Sequence, residues 1–182
     1  MQRRQSLTTG ERARAADLLR DVALARPEII GARTVAAYVS VGTEPGTGPL
    51  LTALAARGIR VLLPVLLPDD DLDWAEHQPG TLLAPGPRGL REPVGRRLSS
   101  EEFETVDAVV VPGLAVDRRG VRLGRGGGSY DRALARVPSG TPVLLLLYDG
   151  EVLEHVPEES HDRRVDVALT PNGAVPTRTE RS

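Results

Sequence analysis

Two apolar segments of strand length flank a short helical pattern in residues 34–65, TVAAYVSVGTEPGTGPLLTALAARGIRVLLPV. The first covers residues 34–40 and the second covers residues 59–65, and neither shows the apolar–polar alternation of a half-exposed strand. Between them, Thr47 is placed to cap a helix over residues 48–57, and Gly58 is placed to end it. A strand, a helix and a strand in this order predict parallel strands joined by a right-handed crossover.

Further segments extend this pattern along the chain. Strands are predicted at residues 72–76, 107–111, 141–148 and 165–169, and helices at residues 8–26 and 129–136. Thr8 and Glu11 supply the capping box that starts the first of these helices. Because several strands are apolar throughout, helices should cover both faces of the sheet. The sequence predicts a single three-layer α/β/α domain over residues 1–182 with a mostly parallel sheet, and a solvated acidic turn at residues 69–71.

The composition excludes several classes of protein. Apolar residues make up 40% and charged residues 26% of the chain, with a formal net charge of −2, which is typical of a soluble globular protein. This charge argues against a protein that binds nucleic acid through its phosphates. The absence of cysteine excludes disulfides, thiolate metal sites and a cysteine nucleophile. Neither a signal-peptide pattern nor an apolar run near the ~20 residues of a membrane span is present. A cytoplasmic location is therefore expected, with no membrane contact and no obligate protein partner.

Residues 111–132, VPGLAVDRRGVRLGRGGGSYDR, have the features of an anion-binding loop. They begin where a buried strand ends and stop where a helix begins, and ligands of open α/β sheets bind beyond the carboxyl ends of strands. Glycines let backbone N–H groups approach an anion closely, and the next helix would direct its N-terminus there. All 23 basic residues of the chain are arginines, so Arg122 and Arg125 would bind phosphate through guanidinium groups. Asp131 adds an oxygen ligand suited to Mg²⁺.

The spacing of this loop leaves more than one interpretation open. It does not match the Walker A pattern, and it matches the Rossmann fingerprint poorly. A flexible glycine-rich loop with exposed arginines is the alternative to a nucleotide–Mg²⁺ site.

The same stretch resembles the signature of 5-formyltetrahydrofolate cyclo-ligases, which are also called 5,10-methenyltetrahydrofolate synthetases. The matching residues are Pro112, Gly113, Leu114, Ala115, Asp117, Gly120, Arg122, Leu123, Gly124, Gly126, Gly128, Tyr130 and Asp131. Weaker matches occur at residues 38–47, 89–93 and 161–170, so the resemblance covers about residues 34–170. Val116 and Ser129 stand where aromatic residues are common, and the family's N-terminal helix is expected to be shortened or absent.

The resemblance implies a fold like that of sugar-phosphate isomerases and CoA-transferases, and an ATP- and Mg²⁺-dependent reaction. Such enzymes convert 5-formyltetrahydrofolate to 5,10-methenyltetrahydrofolate with release of ADP and phosphate. By position, Arg125 is the catalytic residue, and Asp131 and Asp166 hold Mg²⁺. The ATP-binding residues are Arg3, Arg4, Arg122, Leu123, Gly124, Arg125, Gly126, Gly127, Gly128, Ser129 and Tyr130. The folate-binding residues are Val39, Glu44, Arg125, Gly126, Gly127, Gly128 and Ser129.

Alternatives remain for these residues and for the function. Glu44 and Asp131 could each favour a helix dipole without binding a ligand, and Asp166 could pair with a neighbouring arginine. Tyr38 is expected in the core rather than stacked on a pterin. The chain could also be an inactive nucleotide- or folate-binding member of the same fold. Another α/β enzyme acting on a phosphate ligand, such as a sugar-phosphate isomerase relative, is the remaining possibility.

Overall fold

A computed structural model describes residues 2–78, 80, 83–98, 103–159 and 161–177. In these residues a seven-stranded sheet has the order β12-β11-β9-β6-β1-β2-β3. Its strands are β1 (Thr34–Ala36), β2 (Arg60–Leu66), β3 (Leu72–Glu76), β6 (Ala108–Pro112), β9 (Val143–Leu146), β11 (Val167–Thr170) and β12 (Gly173–Pro176). The five inner strands are parallel, and the edge strands β3 and β12 are antiparallel to their neighbours. The predicted mostly parallel sheet is confirmed.

Shorter strands lie outside this sheet. β7 (Ala115–Asp117) follows β6 in the chain. It pairs with β8 (Arg122–Leu123) and with β10 (Val152–Leu153) in a small separate sheet. β4 (Ala84–Pro85) and β5 (Arg91–Glu92) form a hairpin around the single 3₁₀ turn Pro87–Gly89.

Helices cover both faces of the central sheet. The helices are α1 (Gln2–Ser6), α2 (Thr9–Leu24), α3 (Pro27–Ile30), α4 (Gly48–Ala56) and α5 (Ser129–Ala135). Leu19 of α2 and Leu54 of α4 pack with Val35, Val61 and Val110 on one face. The alternate residues of the same strands face the other side, where the core includes α5 and the stacked rings of Trp74 and Phe103. The three predicted layers are therefore present.

The loop between β1 and α4 differs from the expectation. The strand ends at Ala36 rather than at residue 40, because Ser40 and Thr47 exchange side-chain-to-backbone hydrogen bonds of 3.0 and 3.1 Å. The Thr47 hydroxyl therefore closes this loop and does not cap α4, which has no side-chain cap. By contrast, the capping box of Thr8 and Glu11 forms as predicted.

The acidic turn at residues 69–71 holds other elements in place instead of being only solvated. Asp71 accepts two hydrogen bonds from Arg136, just beyond α5, and Asp70 pairs with Arg88 at 2.6 Å. The Asp70 carbonyl also accepts a hydrogen bond from Arg132. The turn thus ties α5 to the end of β2.

The helices in the described part of the chain include none that is long and apolar enough to cross a bilayer.

Candidate active site

The loops that follow the carboxyl ends of β1, β6 and β9 meet at one edge of the sheet. The glycine-rich loop reaches this edge because β8 runs antiparallel to β7, and Leu114 donates a backbone hydrogen bond to Leu123. The residues predicted for ATP and folate binding come mainly from these loops. The edge is where ligands of parallel sheets bind.

Two glycines of the loop have backbone conformations that favour glycine. Gly126 has φ of +84° and Gly128 has φ of +66°, and both lie in the left-handed region. At Gly128 a Cβ atom would also come within 2.9 Å of the Arg132 guanidinium group. Arg132 donates to the Gly127 carbonyl at 3.2 Å, which fixes the path of the loop before α5. α5 is only seven residues long, so the loop backbone and its arginines define this part of the site.

The two arginines of the loop have different environments. The Arg122 side chain is 5% exposed and donates to Asp131 at 2.9 Å and to the Pro112 carbonyl at 3.4 Å. The Arg125 side chain is 57% exposed, and its Nη2 atom lies 3.2 Å from Oε1 of Glu44. The structure therefore joins Arg125 of the glycine-rich loop to Glu44 of the predicted folate pocket, while Arg122 is held in the framework.

Glu44 is positioned by its own loop and by the loop after β9. Its Oε2 atom accepts a hydrogen bond of 2.9 Å from the Val41 N–H. The Tyr148 hydroxyl donates to the Glu44 carbonyl at 3.2 Å. Val39, also predicted for the folate pocket, is half-buried and packs on the core beneath this loop. A carboxylate held in this way can accept hydrogen bonds from N–H groups of a ligand.

Two further tyrosines lie near Glu44. Burial raises the pKa of Tyr38 well above its ordinary value, and the negative charge of Glu44 raises it further. The same two causes raise the pKa of Tyr130. Both hydroxyl groups therefore stay protonated near neutral pH and can donate hydrogen bonds. Sequence reasoning placed Tyr38 in the core, and the structure does bury it, but its hydroxyl lies among polar groups.

Arg4 anchors the N-terminal helix α1 at the same edge. It donates two hydrogen bonds to Glu151, at 2.6 and 2.8 Å, and one to the Gly113 carbonyl at 2.7 Å. Its guanidinium carbon also lies 5.6 Å from the centre of the Tyr148 ring. Burial opposes the charge of Arg4, but the hydrogen bonds and charge of Glu151 more than offset this and raise its pKa. The sequence offered no signal for this ion pair, whose partners are far apart in the chain.

Arg3 and Arg4 line one cavity of about 210 Å³ beside the loop that follows β9. Arg14 of α2 lines the same cavity, and so do the acidic residues Glu11, Asp149 and Glu151. Arg3 lies across Gly150, where a Cβ atom would collide with its guanidinium group. The N-terminal segment, where the family's helix was expected to be shortened or absent, forms the five-residue helix α1.

The two aspartates predicted to hold Mg²⁺ lie in different surroundings. Asp131 accepts hydrogen bonds from Arg122 and from the Arg163 N–H. Asp166 accepts one from the Val143 N–H at 2.9 Å, at the amino ends of β9 and β11. Asp131 lines a cavity of about 460 Å³, and the carboxylate that lines it with Asp131 belongs to Asp162, not to Asp166. The resemblance at residues 161–170 contains both aspartates, and the sequence prediction named Asp166 and not Asp162.

Asp117, a prominent residue of the signature, is a structural group. It is fully buried and accepts backbone hydrogen bonds from Arg119, Val121 and Val156, together with two from the Arg119 side chain. These contacts hold the turn between β7 and β8, which precedes the glycine-rich loop. The signature therefore combines residues that shape the loop with residues that face the site.

The comparisons with known proteins address the resemblance directly. The profile of the 5-formyltetrahydrofolate cyclo-ligase family matches residues 1–171. The chain belongs to this family. The cyclo-ligase of Mycolicibacterium smegmatis is 44% identical over 151 residues, which cover 80% of this chain and 77% of that protein. The cyclo-ligase of Escherichia coli strain K12 is 30% identical over 174 residues, which cover 94% of this chain and 96% of that protein.

A solved structure supports the same assignment. The 5,10-methenyltetrahydrofolate synthetase of Aquifex aeolicus superposes with a TM-score of 0.83 at 30% identity, covering 100% of this chain and 90% of that one. Another synthetase, from Mycoplasma pneumoniae, has a TM-score of 0.71 at 19% identity and shows the likeness of fold. The predictions of the cyclo-ligase family, of a ligase of folate metabolism and of the α/β fold are confirmed. These matches favour the cyclo-ligase family over the alternative of a sugar-phosphate isomerase relative.

Proposed function

We propose that this cyclo-ligase uses ATP to convert 5-formyltetrahydrofolate to 5,10-methenyltetrahydrofolate. The family and the names of its relatives support this reaction. The observation that supports it within this chain is the contact of Arg125 with Glu44, because it joins an anion-binding loop to a carboxylate suited to a pterin. Phosphate chemistry and folate recognition can therefore occur in one place.

The formyl oxygen of the substrate is a poor leaving group, and its phosphorylation converts it into a good one. Transfer of the γ-phosphoryl group to that oxygen releases ADP and makes phosphate the later leaving group. N10 then attacks the formyl carbon, the ring closes, and phosphate leaves with the oxygen. The protein's task is positioning and neutralisation of charge, as in other phosphoryl transfers. Arg125, exposed beside the glycines, is the group that stabilises charge on the moving phosphoryl group.

Other residues divide between the two substrates. The backbone from Leu123 to Tyr130 would hold the triphosphate, while Arg3 and Arg4 would border the nucleotide from the side of α1. Arg4, which is 3% exposed and bonded to Glu151, acts by holding α1 in place. Val39 and Glu44 form the wall of the folate pocket, with residues 125–129 opposite them.

Two carboxylates of the described chain fit a divalent cation. Mg²⁺ is usually held by one or two carboxylates together with substrate phosphates. Asp131 and Asp162 line one cavity beside Gly128, whereas Asp166 is bonded to the sheet. No cluster of three or more metal-binding side chains occurs in the residues described. When bound, Mg²⁺ would neutralise phosphate charge.

We also propose that residues 1–182 act as one domain in the cytoplasm, without nucleic acid, membrane or an obligate protein partner. The two core clusters share the strands of one sheet, which supports a single domain. The small acidic net charge of −2 supports small-molecule substrates over nucleic acid.

The reaction can be tested with the purified protein. We expect that 5-formyltetrahydrofolate with MgATP gives the near-ultraviolet absorbance of the methenyl product, and that omission of ATP abolishes this signal. ADP should form in an equal amount. If neither product forms while both substrates bind, the chain is a binding member of the family and the proposed reaction is wrong.

The metal ligands can be tested by comparing two substitutions of aspartate. Asp162→Asn should raise the Mg²⁺ concentration for half-maximal activity by about tenfold or more, because a carboxylate ligand loses its charge. Asp166→Asn should lower thermal stability and leave the Mg²⁺ dependence unchanged. The reverse result would restore Asp166 as the ligand and remove Asp162.

A further inference from the structure

The hydroxyl group of Tyr38 is buried and has no hydrogen-bond partner among the described residues. Tyr38 follows the end of β1 by two residues and is 2% exposed. Among the residues that the structure describes, none forms a hydrogen bond with its hydroxyl. A buried polar group without a partner is destabilising, and such groups are rare in folded proteins. Phenylalanine would fill the same space without this cost.

The groups around this hydroxyl are polar. Glu44, Tyr130, Tyr148 and Arg4 all act on it electrostatically. Arg4 is itself incompletely bonded, because its Nη1 atom is buried without a partner in the described residues while its other nitrogens bind Glu151 and Gly113. The electrostatic effect of Arg4 on Tyr38 indicates that these two unsatisfied polar groups are near each other. They indicate a place for a polar atom that is brought by a ligand.

Glu44 cannot by itself recognise the polar edge of a pterin. That edge presents a carbonyl oxygen beside a ring N–H and an amino group, so it needs one donor and two acceptor positions. An ionised carboxylate only accepts hydrogen bonds. The neutral hydroxyl of Tyr38 is a nearby donor, and it has no hydrogen-bond partner among the described residues.

We propose that the Tyr38 hydroxyl donates a hydrogen bond to the pterin carbonyl oxygen, next to the N–H groups that bind to Glu44. This rests on the proposed function, since it assigns a second residue to the folate pocket of that reaction. The exposed Arg125 side chain leaves Glu44 when the pterin binds, and its guanidinium group is then available for phosphate. Tyr38 is therefore a substrate-binding and specificity-determining residue rather than a core tyrosine.

Substitution of Tyr38→Phe removes one oxygen atom and tests this assignment. The Kd for 5-formyltetrahydrofolate, measured by calorimetry without ATP, should rise roughly tenfold, as expected for loss of one buried hydrogen bond. The Kd for MgATP should stay the same, and the melting temperature of the free protein should stay the same or rise.

Tyr148→Phe is the matched control, because its hydroxyl has a partner. The same atom is lost there, but the bond to the Glu44 carbonyl is lost with it, so the melting temperature of the free protein should fall. An unchanged folate Kd in Tyr38→Phe would overturn the assignment, as would equal rises of the folate and ATP Kd values. The wild-type assay separates the two proposals. Wild-type protein that forms methenyl product while Tyr38→Phe binds folate normally refutes the role of Tyr38 alone.

Discussion

The Arg125 side chain is exposed and contacts Glu44. An exposed contact of this kind suits a residue that changes partners during a reaction. Its guanidinium group is 57% exposed, whereas Glu44 opposite it is 10% exposed. An ion pair with one exposed member is weakly stabilising because water screens it. Binding of a phosphate can therefore displace this contact at little cost.

Substitution of Arg125→Ala should lower kcat by about a hundred- to a thousandfold, the usual cost of removing a group that stabilises transition-state charge. Thermal stability should change little, because the side chain is exposed. Steady-state kinetics of methenyl formation and a melting curve provide the two measurements. Arg118→Ala, an exposed arginine in the turn between β7 and β8, is the control and should keep wild-type kcat. A normal kcat in Arg125→Ala would remove Arg125 from the mechanism.

At the level of elements, residue patterns predicted the strands well because burial is encoded locally. The apolar runs at 59–65 and 107–111 became β2 and β6 with shifts of one residue at each end. The strand predicted at 34–40 was too long, since its end depends on the bonds of Ser40 with Thr47. Both residues favour loops and caps, and sequence alone does not reveal which partner each one takes.

Contacts between distant residues at the candidate site follow either from the topology of the sheet or from side-chain partners that leave no local pattern. The glycine-rich loop and the Glu44 loop come together because they follow, along the chain, the parallel neighbouring strands β6 and β1. Asp166 lies directly before Val167, where β11 begins, and the sequence already indicated that it lies near the amino end of a strand. Ion pairs such as Arg4 with Glu151 join residues more than a hundred positions apart and leave no local pattern.

In the whole molecule, the two ends of the parallel strands carry different kinds of residue. At their carboxyl ends lie the exposed Arg125 and the hydroxyl of Tyr38, which has no partner in the part of the chain that the structure describes; both suit ligand binding and not stability. At the amino edge, Asp107 and Asp166 accept backbone N–H groups from neighbouring segments and so tie adjacent strands together. Asp107 and Asp166 are therefore expected to contribute to stability.

Unfolding of the protein in acid should depend on the carboxylates at the amino ends of the strands. The N–H groups of Thr34 and Arg33 hold the pKa of Asp107 below its ordinary value of 3.8. Ionised Asp107 therefore stabilises the folded protein at pH values above 3.8. This stabilisation is lost as the pH falls through the lower pKa of the folded state, because the unfolded chain binds the proton more readily. We expect Asp107→Asn to lower the free energy of unfolding at pH 7 and to flatten its fall below about pH 4, measured by urea unfolding across the pH range. Asp17→Asn, at an exposed helix position, is the control and should give the wild-type dependence of unfolding free energy on pH. If the fall in unfolding free energy below about pH 4 is unchanged in Asp107→Asn, this carboxylate does not stabilise the amino ends of the strands.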